Sequence, residues 1–264
     1  MSNCLSKSAQ RLISREGSKM RDIEDYAEKY TENGFEEYKV LYRRKKLIEM
    51  IKGWRPKSIL EIGCGMDPLF QYVDNAKFTI VELSQLFCDN AADLMRMRHI
   101  HNAECIQGYF EEIASGLSKE YDLIICSSLL HEVEKPGSLI KAIENTCNSD
   151  TIVHVNVPNA YSLHRLLGKE MGILDDVHEM SENNIDFQQN NVFDKYSLEK
   201  IVNENGLEVI ESGGYFMKPF SHKQMNEMMQ KKVIDEKVLD GLYELGKCMP
   251  EFCSEIYVNC KKII

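Results

Sequence analysis

Short apolar runs alternate with longer amphipathic stretches through the middle of the chain. The apolar runs predict strands over Ser58–Ile62, Phe78–Leu83, Ala103–Ile106, Tyr121–Cys126 and Thr151–Val157. Helical patterns lie between them, near residues 67–74, 85–97, 109–117 and 136–147. Because buried strands alternate with helices, the pattern predicts a parallel sheet that is covered on both faces.

Both ends of the chain depart from this alternation. A helical pattern continues to about residue 53 and ends before Pro56, since proline cannot continue a helix. After the fifth strand, helix-like pieces and a polar stretch fill residues 158–205. The remaining pattern predicts a strand over Leu207–Ser212 that ends at Gly213-Gly214, a helix over 221–247 and a last strand over Ser254–Cys260. This closing order predicts that the final strand enters the sheet antiparallel.

Together these elements predict an α/β fold built on a doubly wound, seven-stranded, mostly parallel sheet. We divide the chain into an N-terminal helical cap, residues 1–53, and a main domain, residues 54–264. The insertion at about 158–205 is expected to cover the carboxyl edge of the sheet. Doubly wound sheets bind their ligands at this edge.

Composition narrows the class of protein. The 264 residues are 43% hydrophobic and 28% charged, and no apolar run approaches the ~18 residues that a membrane span needs. A net charge of -10 provides no general basic face, so we expect no nucleic-acid partner. Nine cysteines without a CxxC pair predict free thiols in a reducing cytoplasm and no metal site. Lys7, Arg11, Arg15 and Lys19 recur at four-residue spacing, which leaves open a transit peptide, a membrane-surface helix or a solvated helix.

The end of the first predicted strand carries the candidate chemistry. Gly63 and Gly65 allow the backbone to turn tightly and to approach a ligand. Glu82 ends the second strand, where a carboxylate can accept hydrogen bonds from both ribose hydroxyls of an adenosine. A dinucleotide fingerprint needs a small residue where Pro68 stands, and the acid Glu61 suits a ligand with a cationic amine. Both features favour S-adenosylmethionine over NAD.

These segments resemble a known family. Leu60–Gly65 resembles motif I of class I S-adenosylmethionine-dependent methyltransferases, and the acid that ends the second strand matches their ribose-binding acid. Gln107–Glu111 resembles their adenine-contacting segment. Ser127–Pro136 and Val157–Arg165 resemble the loops after strands four and five in the quinone-biosynthesis-like and polysaccharide-cluster branches. The resemblance implies the Rossmann-like methyltransferase fold.

The chain departs from these relatives at two places. Tyr109 stands where many relatives carry an acid for the adenine amino group, so the adenine contact is expected to shift to the backbone or to stacking on Tyr109 or Phe110. Around Gln188–Phe193 several relatives have a Gly-His pair, and this chain lacks the histidine. Any base role at that second place is therefore in doubt.

The resemblance and the spacing together assign the candidate site residues. The expected cofactor-binding residues are Tyr30, Arg44, Glu61, Gly63, Gly65, Glu82, Leu83, Gly108, Tyr109, Phe110 and Ser127. The expected substrate-binding residues follow strand five or lie at its end: Asn156, Asn159, Tyr161, His164 and Arg165. His131, just past strand four, is the candidate catalytic residue, because imidazole titrates near neutral pH and can remove a hydroxyl proton. Packing between the loop and a helix is the alternative role for His131.

The expected function is methyl transfer from S-adenosylmethionine to a small-molecule or carrier-linked acceptor. The loop resemblance favours a hydroxyl of a saccharide or phenolic metabolite, while a nitrogen acceptor stays open. A homodimer is compatible with the sequence. The rival is a non-catalytic S-adenosylmethionine-binding partner or scaffold of another methyltransferase, which Tyr109 and the missing histidine would fit.

Overall fold

One seven-stranded sheet forms the centre of the molecule. The computed structural model describes residues 34–263, apart from the side chains of Glu182 and Asn183. The strands are β1 (Ser58–Ile62), β2 (Lys77–Glu82), β3 (Ala103–Gln107), β4 (Leu123–Ser127), β5 (Ile152–Pro158), β6 (Leu207–Tyr215) and β7 (Glu255–Lys262). Their spatial order is β3-β2-β1-β4-β5-β7-β6, and β7 runs antiparallel to both β5 and β6. The predicted doubly wound sheet and its antiparallel last strand are confirmed.

Helices pack on both faces of the sheet. They are α1 (Glu36–Trp54), α2 (Gln85–Met97), α3 (Phe110–Ile113), α4 (Pro136–Thr146), α5 (Leu163–Glu170), α6 (Glu182–Asp186), α7 (Lys195–Glu204), α8 (His222–Gln230) and α9 (Glu236–Cys248). Between residues 34 and 263, no helix combines the length and the apolar character that crossing a lipid bilayer requires.

Two of the predicted helices differ in the structure. Residues 67–74 hold only a 3-10 turn, Leu69–Gln71, because Pro68 is extended and the residue before a proline disfavours the helical region. Residues 221–247 form two helices, α8 and α9. Lys232 takes a left-handed conformation between them, and the Asp235 side chain caps the second helix at the N–H of Val238.

The apolar core is divided by the sheet into two layers. On one face, α4 and α7 pack against the buried side chains of β4 and β5, among them Ile124 and Val155. On the other face, Leu47 and Ile51 of α1 pack beside Phe78 of β2. Since α1 is anchored by this apolar stripe, its polar side chains are held at a fixed place over the carboxyl edge.

A third cluster fixes the chain after β6. The predicted break at Gly213-Gly214 is wrong, because both glycines lie inside β6, where a Cβ on Gly213 would meet the Tyr257 ring at 2.8 Å. The strand is followed by Phe216 in a left-handed conformation, and its ring stacks on Tyr42 of α1 with centroids 4.7 Å apart. This turn directs the following residues towards α1.

Candidate functional site

A cavity of about 550 Å³ opens along the carboxyl edge of the sheet. This volume lies within the ~300–1,000 Å³ typical of small-molecule sites. One end is formed by the turn after β1 and the end of β2, and the middle by the loop after β4. The other end is formed by α1, the end of β5 and the start of α8. The cavity therefore spans the edge at which ligands of doubly wound sheets bind.

The turn after β1 adopts a conformation that glycine favours. Gly63 and Gly65 have φ of 74° and 57°, and a Cβ on Gly65 would meet no atom within 4 Å. The backbone N–H groups of Cys64 and Gly65 point at Glu82 Oε2, at 2.9 and 3.2 Å. The turn thus leaves open space beside a carboxylate.

Glu82 ends β2 and lines the cavity. Its Oε1 accepts a further hydrogen bond from the N–H of Ser84 at 3.0 Å. A carboxylate offers about four acceptor positions, so these three backbone donors leave about one. Binding both hydroxyls of a ribose would require the turn to release one of its N–H groups.

Glu61 and Arg44 form a buried ion pair that contacts the glycine turn. Glu61 is fully buried, accepts the N–H of Leu69 at 2.9 Å and lies 3.1 Å from Arg44 Nη1. Burial raises the pKa of Glu61 to about 7, although the Arg44 guanidinium opposes that rise. Arg44 also donates to the carbonyl of Cys64 at 3.0 Å. This pair joins α1 to the glycine turn.

His131 lies just past the end of β4, is 3% exposed and lines the cavity. Its Nε2 is 3.9 Å from Glu132 Oε1. Its carbonyl accepts the N–H groups of Asn190 and Asn191, each at 3.0 Å. The two asparagine side chains donate to the carbonyls of Glu132 and Val133, at 2.7 Å each. The segment that lacks the relatives' histidine therefore holds the loop that carries His131.

The far end of the cavity is a polar corner that sequence reasoning missed. We call it the α1 corner and define it by Glu36, Lys39, Arg43, Lys218 and His222. The adjacent arginines of α1 pair with different carboxylates, Arg43 with Glu255 and Arg44 with Glu61, and no local pattern in this highly charged helix shows those partners. Lys218 and His222 lie far along the chain from α1, so no local pattern connects them.

Glu255 anchors this corner to the sheet. It begins β7 opposite Pro158, the last residue of β5. Its carboxylate lies 2.9 Å from Arg43 and 3.4 Å from Lys39. Asn156 also donates to it, at 2.8 Å. Burial raises the pKa of Glu255, but the two cations outweigh burial and lower it to about 2.

The predicted cofactor residues fall into two groups. Those that line the cavity are Arg44, Gly63, Gly65, Glu82, Leu83 and Ser127. Glu61 lies beneath the turn, Phe110 is buried in the core, and Tyr109 is 48% exposed. Gly108 donates its N–H to the carbonyl of Glu82 at 3.0 Å. Tyr30 lies outside the described residues.

Among the predicted substrate residues, Asn159 and Arg165 bind backbone carbonyls of neighbouring segments. The Asn159 side chain donates to the carbonyls of Glu251 and Cys253, at 2.9 Å each. Arg165 donates to the carbonyl of Val177 at 2.9 Å. None of the five, Asn156, Asn159, Tyr161, His164 and Arg165, is among the residues that line this cavity. Their substrate contacts stay predictions.

No metal cluster accompanies the cavity. Across residues 34–263, no group of three or more His, Cys, Asp and Glu side chains is arranged to hold a metal ion.

The family comparison gives a match over most of the chain. A family model described as a methyltransferase domain matches residues 30–212. No curated protein matches the sequence.

Solved structures share the fold at low sequence identity. An S-adenosylmethionine-dependent methyltransferase from Clostridium acetobutylicum has a TM-score of 0.56 and 12% identity, covering 84% of this chain and 92% of its own. The plantazolicin methyltransferase BamL, in complex with a triazolic desmethyl analogue and S-adenosylhomocysteine, has a TM-score of 0.54 and 13% identity, covering 90% and 97%. The [4+2]-cyclase SpnF has a TM-score of 0.52 and 15% identity, covering 78% and 74%. At these identities the likeness shows the fold alone.

Proposed function

The chain belongs to the methyltransferase domain family, as a class I S-adenosylmethionine-dependent methyltransferase, and on that premise we propose that it methylates a hydroxyl oxygen. The acceptor is a small or carrier-linked molecule, a saccharide or a phenol. The observation that supports this proposal is the single cavity that Glu82 and His131 both line. BamL, which is described with a small triazolic analogue and S-adenosylhomocysteine, lends weight to a small acceptor.

The cofactor end of the cavity fits S-adenosylmethionine. Glu82 offers a carboxylate to the ribose, and the open space at Gly65 admits a ligand against the backbone. Arg44 lines the cavity beside the glycine turn and suits the carboxylate of the methionine end. When bound, the cofactor supplies a methyl group on a sulfonium that is already a good leaving group. The protein therefore has to align the acceptor and to exclude water.

His131 is proposed to remove the proton of the acceptor hydroxyl. Its Nε2 faces Glu132 Oε1 at 3.9 Å, so Nδ1 is the nitrogen that we assign to the acceptor. The Glu132 carboxylate would stabilise the imidazolium that forms when Nδ1 takes the proton. The backbone bonds from Asn190 and Asn191 keep the loop in place for this step.

The test is methyl transfer from radiolabelled S-adenosylmethionine to a panel of catechols and saccharides. His131→Asn should lower kcat at least ~100-fold, because a general base contributes ~10²–10⁴-fold to rate. Its dissociation constant for S-adenosylhomocysteine should match that of the wild type. His101→Asn, which changes an exposed histidine, is the matched control. Near-normal turnover of His131→Asn would reduce His131 to a packing role.

A further inference from the structure

Lys218 is a buried amine that has no acidic partner among the residues that the structure describes. Its side chain is 1% exposed, and its Nζ lies 2.9 Å from His222 Nδ1. No carboxylate between residues 34 and 263 forms an ion pair with it, whereas Lys39 and Arg43 each pair with two, Glu36 and Glu255. Burial, reinforced by nearby Lys39, lowers the pKa of Lys218 well below its usual value. A charged lysine here would therefore be costly without a counter-ion.

His222 separates Lys218 from the cavity and cannot supply that counter-ion. Nε2 faces Glu36 Oε2 at 3.3 Å and so carries the imidazole proton, which leaves Nδ1 to accept a hydrogen bond from Nζ, 2.9 Å away. Burial, reinforced by Lys218, lowers the pKa of His222 to about 4, so the ring is neutral near pH 7. Glu36 already forms ion pairs with Lys39 and Arg43, at 3.4 Å each.

The charges of the α1 corner therefore do not balance when Lys218 is protonated. The cations are Lys39, Arg43 and Lys218, and the carboxylates in contact with them are Glu36 and Glu255. A ligand that brought one more negative charge would complete the set and would be held by charge-assisted hydrogen bonds.

The position of the corner assigns it to the acceptor rather than to the cofactor. Glu82 lies at the end of β2, whereas the corner adjoins Glu255 and Pro158 at the ends of β7 and β5, on the far side of β1 and β4. The cation nearest the glycine turn is Arg44, which contacts the carbonyl of Cys64. Arg44 is thus available to the methionine carboxylate without the corner.

We propose that the methyl acceptor carries a carboxylate or phosphate group, which binds in the α1 corner against Lys39 and Arg43, in front of His222 and Lys218. The inference rests on the proposed function, since it takes the corner to be the acceptor end of the cavity. If the proposal is right, the saccharide or phenol acceptor carries a negative charge. Neutral analogues of the same shape bind weakly.

Isothermal titration of the wild-type protein saturated with S-adenosylhomocysteine tests this with matched probes. One pair is 3,4-dihydroxybenzoate and 3,4-dihydroxybenzamide, and the other is glucose 6-phosphate and glucose. In at least one pair the anion should bind ~10-fold tighter or more, the effect of a charge-assisted hydrogen bond. A preference in the first pair identifies a carboxylate and one in the second a phosphate. No preference in either pair, including no binding, overturns the proposal.

Variants of Lys218 test whether its charge causes the preference for the anionic probe. Lys218→Met and Lys218→Gln should both lose the preference for the anion, although glutamine keeps an N–H for His222. Both should leave the affinity for S-adenosylhomocysteine unchanged. Lys52→Met, a control on an exposed lysine of α1, should also leave it unchanged and should keep the anion preference. A loss of S-adenosylhomocysteine affinity in the Lys218 variants would assign the amine to the cofactor and overturn the proposal.

Thermal unfolding of the ligand-free protein gives a readout that is independent of binding. Lys218→Met removes a buried amine without a counter-ion, so its Tm should equal or exceed that of the wild type. A clear fall in Tm together with an unchanged anion preference would make Lys218 a structural donor to His222. If the wild type does not bind S-adenosylhomocysteine at all, that result contradicts the proposed function itself. Normal binding without an anion preference overturns this inference alone.

Discussion

At the scale of single residues, the Glu82 carboxylate holds the glycine turn and is proposed to bind the ribose. It accepts three backbone N–H groups, two of them from the glycine turn. On the proposed assignment a ribose would use the same oxygens, so its binding would replace one of the contacts with the turn. Gly63 and Gly65, whose left-handed backbone carries no side chain, suit such a rearrangement.

The proposed ribose-binding role of Glu82 can be tested by measuring ligand affinity, without an activity assay. Glu82→Gln keeps the shape but removes the charge, and losing charge-assisted bonds of ~1.5–3 kcal/mol should weaken S-adenosylhomocysteine binding ~10- to 100-fold. Isothermal titration measures the change, with the exposed Glu120→Gln as the matched control. A folded Glu82→Gln protein with the wild-type dissociation constant would remove Glu82 from the cofactor site.

At the scale of elements, α1 is joined to the glycine turn through one buried ion pair. Arg44 contacts both Glu61 and the Cys64 carbonyl, so the helix and the turn are fixed relative to each other. Removing one partner of a buried pair is costly, because the other charge is left without compensation. The pair therefore supports the cofactor site without itself touching a ribose.

A double-mutant cycle measures this coupling. Arg44→Met should lower the free energy of unfolding by ~3–5 kcal/mol, since Glu61 stays buried and unpaired. The Arg44→Met/Glu61→Gln protein should be more stable than the sum of the single losses predicts, by ~0.5–3 kcal/mol. Urea denaturation at pH 8, where Glu61 is ionised, gives each value. Additive losses would show that the two side chains do not interact.

The pH dependence of the same pair has a defined sign. Glu61 has a folded pKa of about 7 against an ordinary value of 4.5, so the folded state binds its proton more tightly. The stability that this proton contributes is full below pH 4.5 and is lost as the pH rises to about 7. Between pH 4.5 and about 7, the free energy of unfolding of the wild type should fall by up to ~3 kcal/mol relative to that of Glu61→Gln. Identical pH profiles for the two proteins would contradict the raised pKa.

The elements that could be predicted from the sequence are those with strong periodicity. β1, with its apolar run, and α2, with its amphipathic pattern, were placed within a residue of their observed ends. The helix predicted over 67–74 was wrong because Pro68 is extended and disfavours the helical region at the residue before it, so only Leu69–Gln71 forms a 3-10 turn. The single helix predicted over 221–247 was wrong because a local turn at Lys232 overrides a continuous helical pattern.

At the scale of the whole molecule, the α1 corner unites segments from both ends of the described chain. Arg43 and Glu255 are 212 residues apart in sequence and 2.9 Å apart in the fold. Asn156 and Tyr215 also contact Glu255, so β5, β6, β7 and α1 meet at one carboxylate. The place of the glycine turn and of Glu82 could be predicted because their motif is local to β1 and β2. The α1 corner could not be predicted, because its residues come together only in the fold.

Glu255 should be the main cause of the loss of stability at low pH. Its folded pKa of about 2 lies below the ordinary 4.5, so its contribution is present above pH 4.5 and is lost as the pH falls towards 2. Glu255→Gln should lower the free energy of unfolding near pH 7 by ~3–5 kcal/mol, because Arg43 and Lys39 lose one of their two counter-ions. It should also flatten the loss of stability below pH 4.5. Chemical denaturation measures both, with exposed Glu208→Gln as control, and wild-type behaviour of Glu255→Gln would contradict the account.

The central claim is that one cavity holds the cofactor at Glu82 and presents its reactive end to His131. A crystal structure of the protein with S-adenosylhomocysteine tests it most directly. We expect the ribose hydroxyls on the Glu82 carboxylate, the homocysteine end beside Gly65 and Arg44, and the sulfur directed towards His131. We also expect Glu82 to have given up at least one of its bonds to the turn. S-adenosylhomocysteine seated in the α1 corner, or its ribose away from Glu82, would contradict this claim.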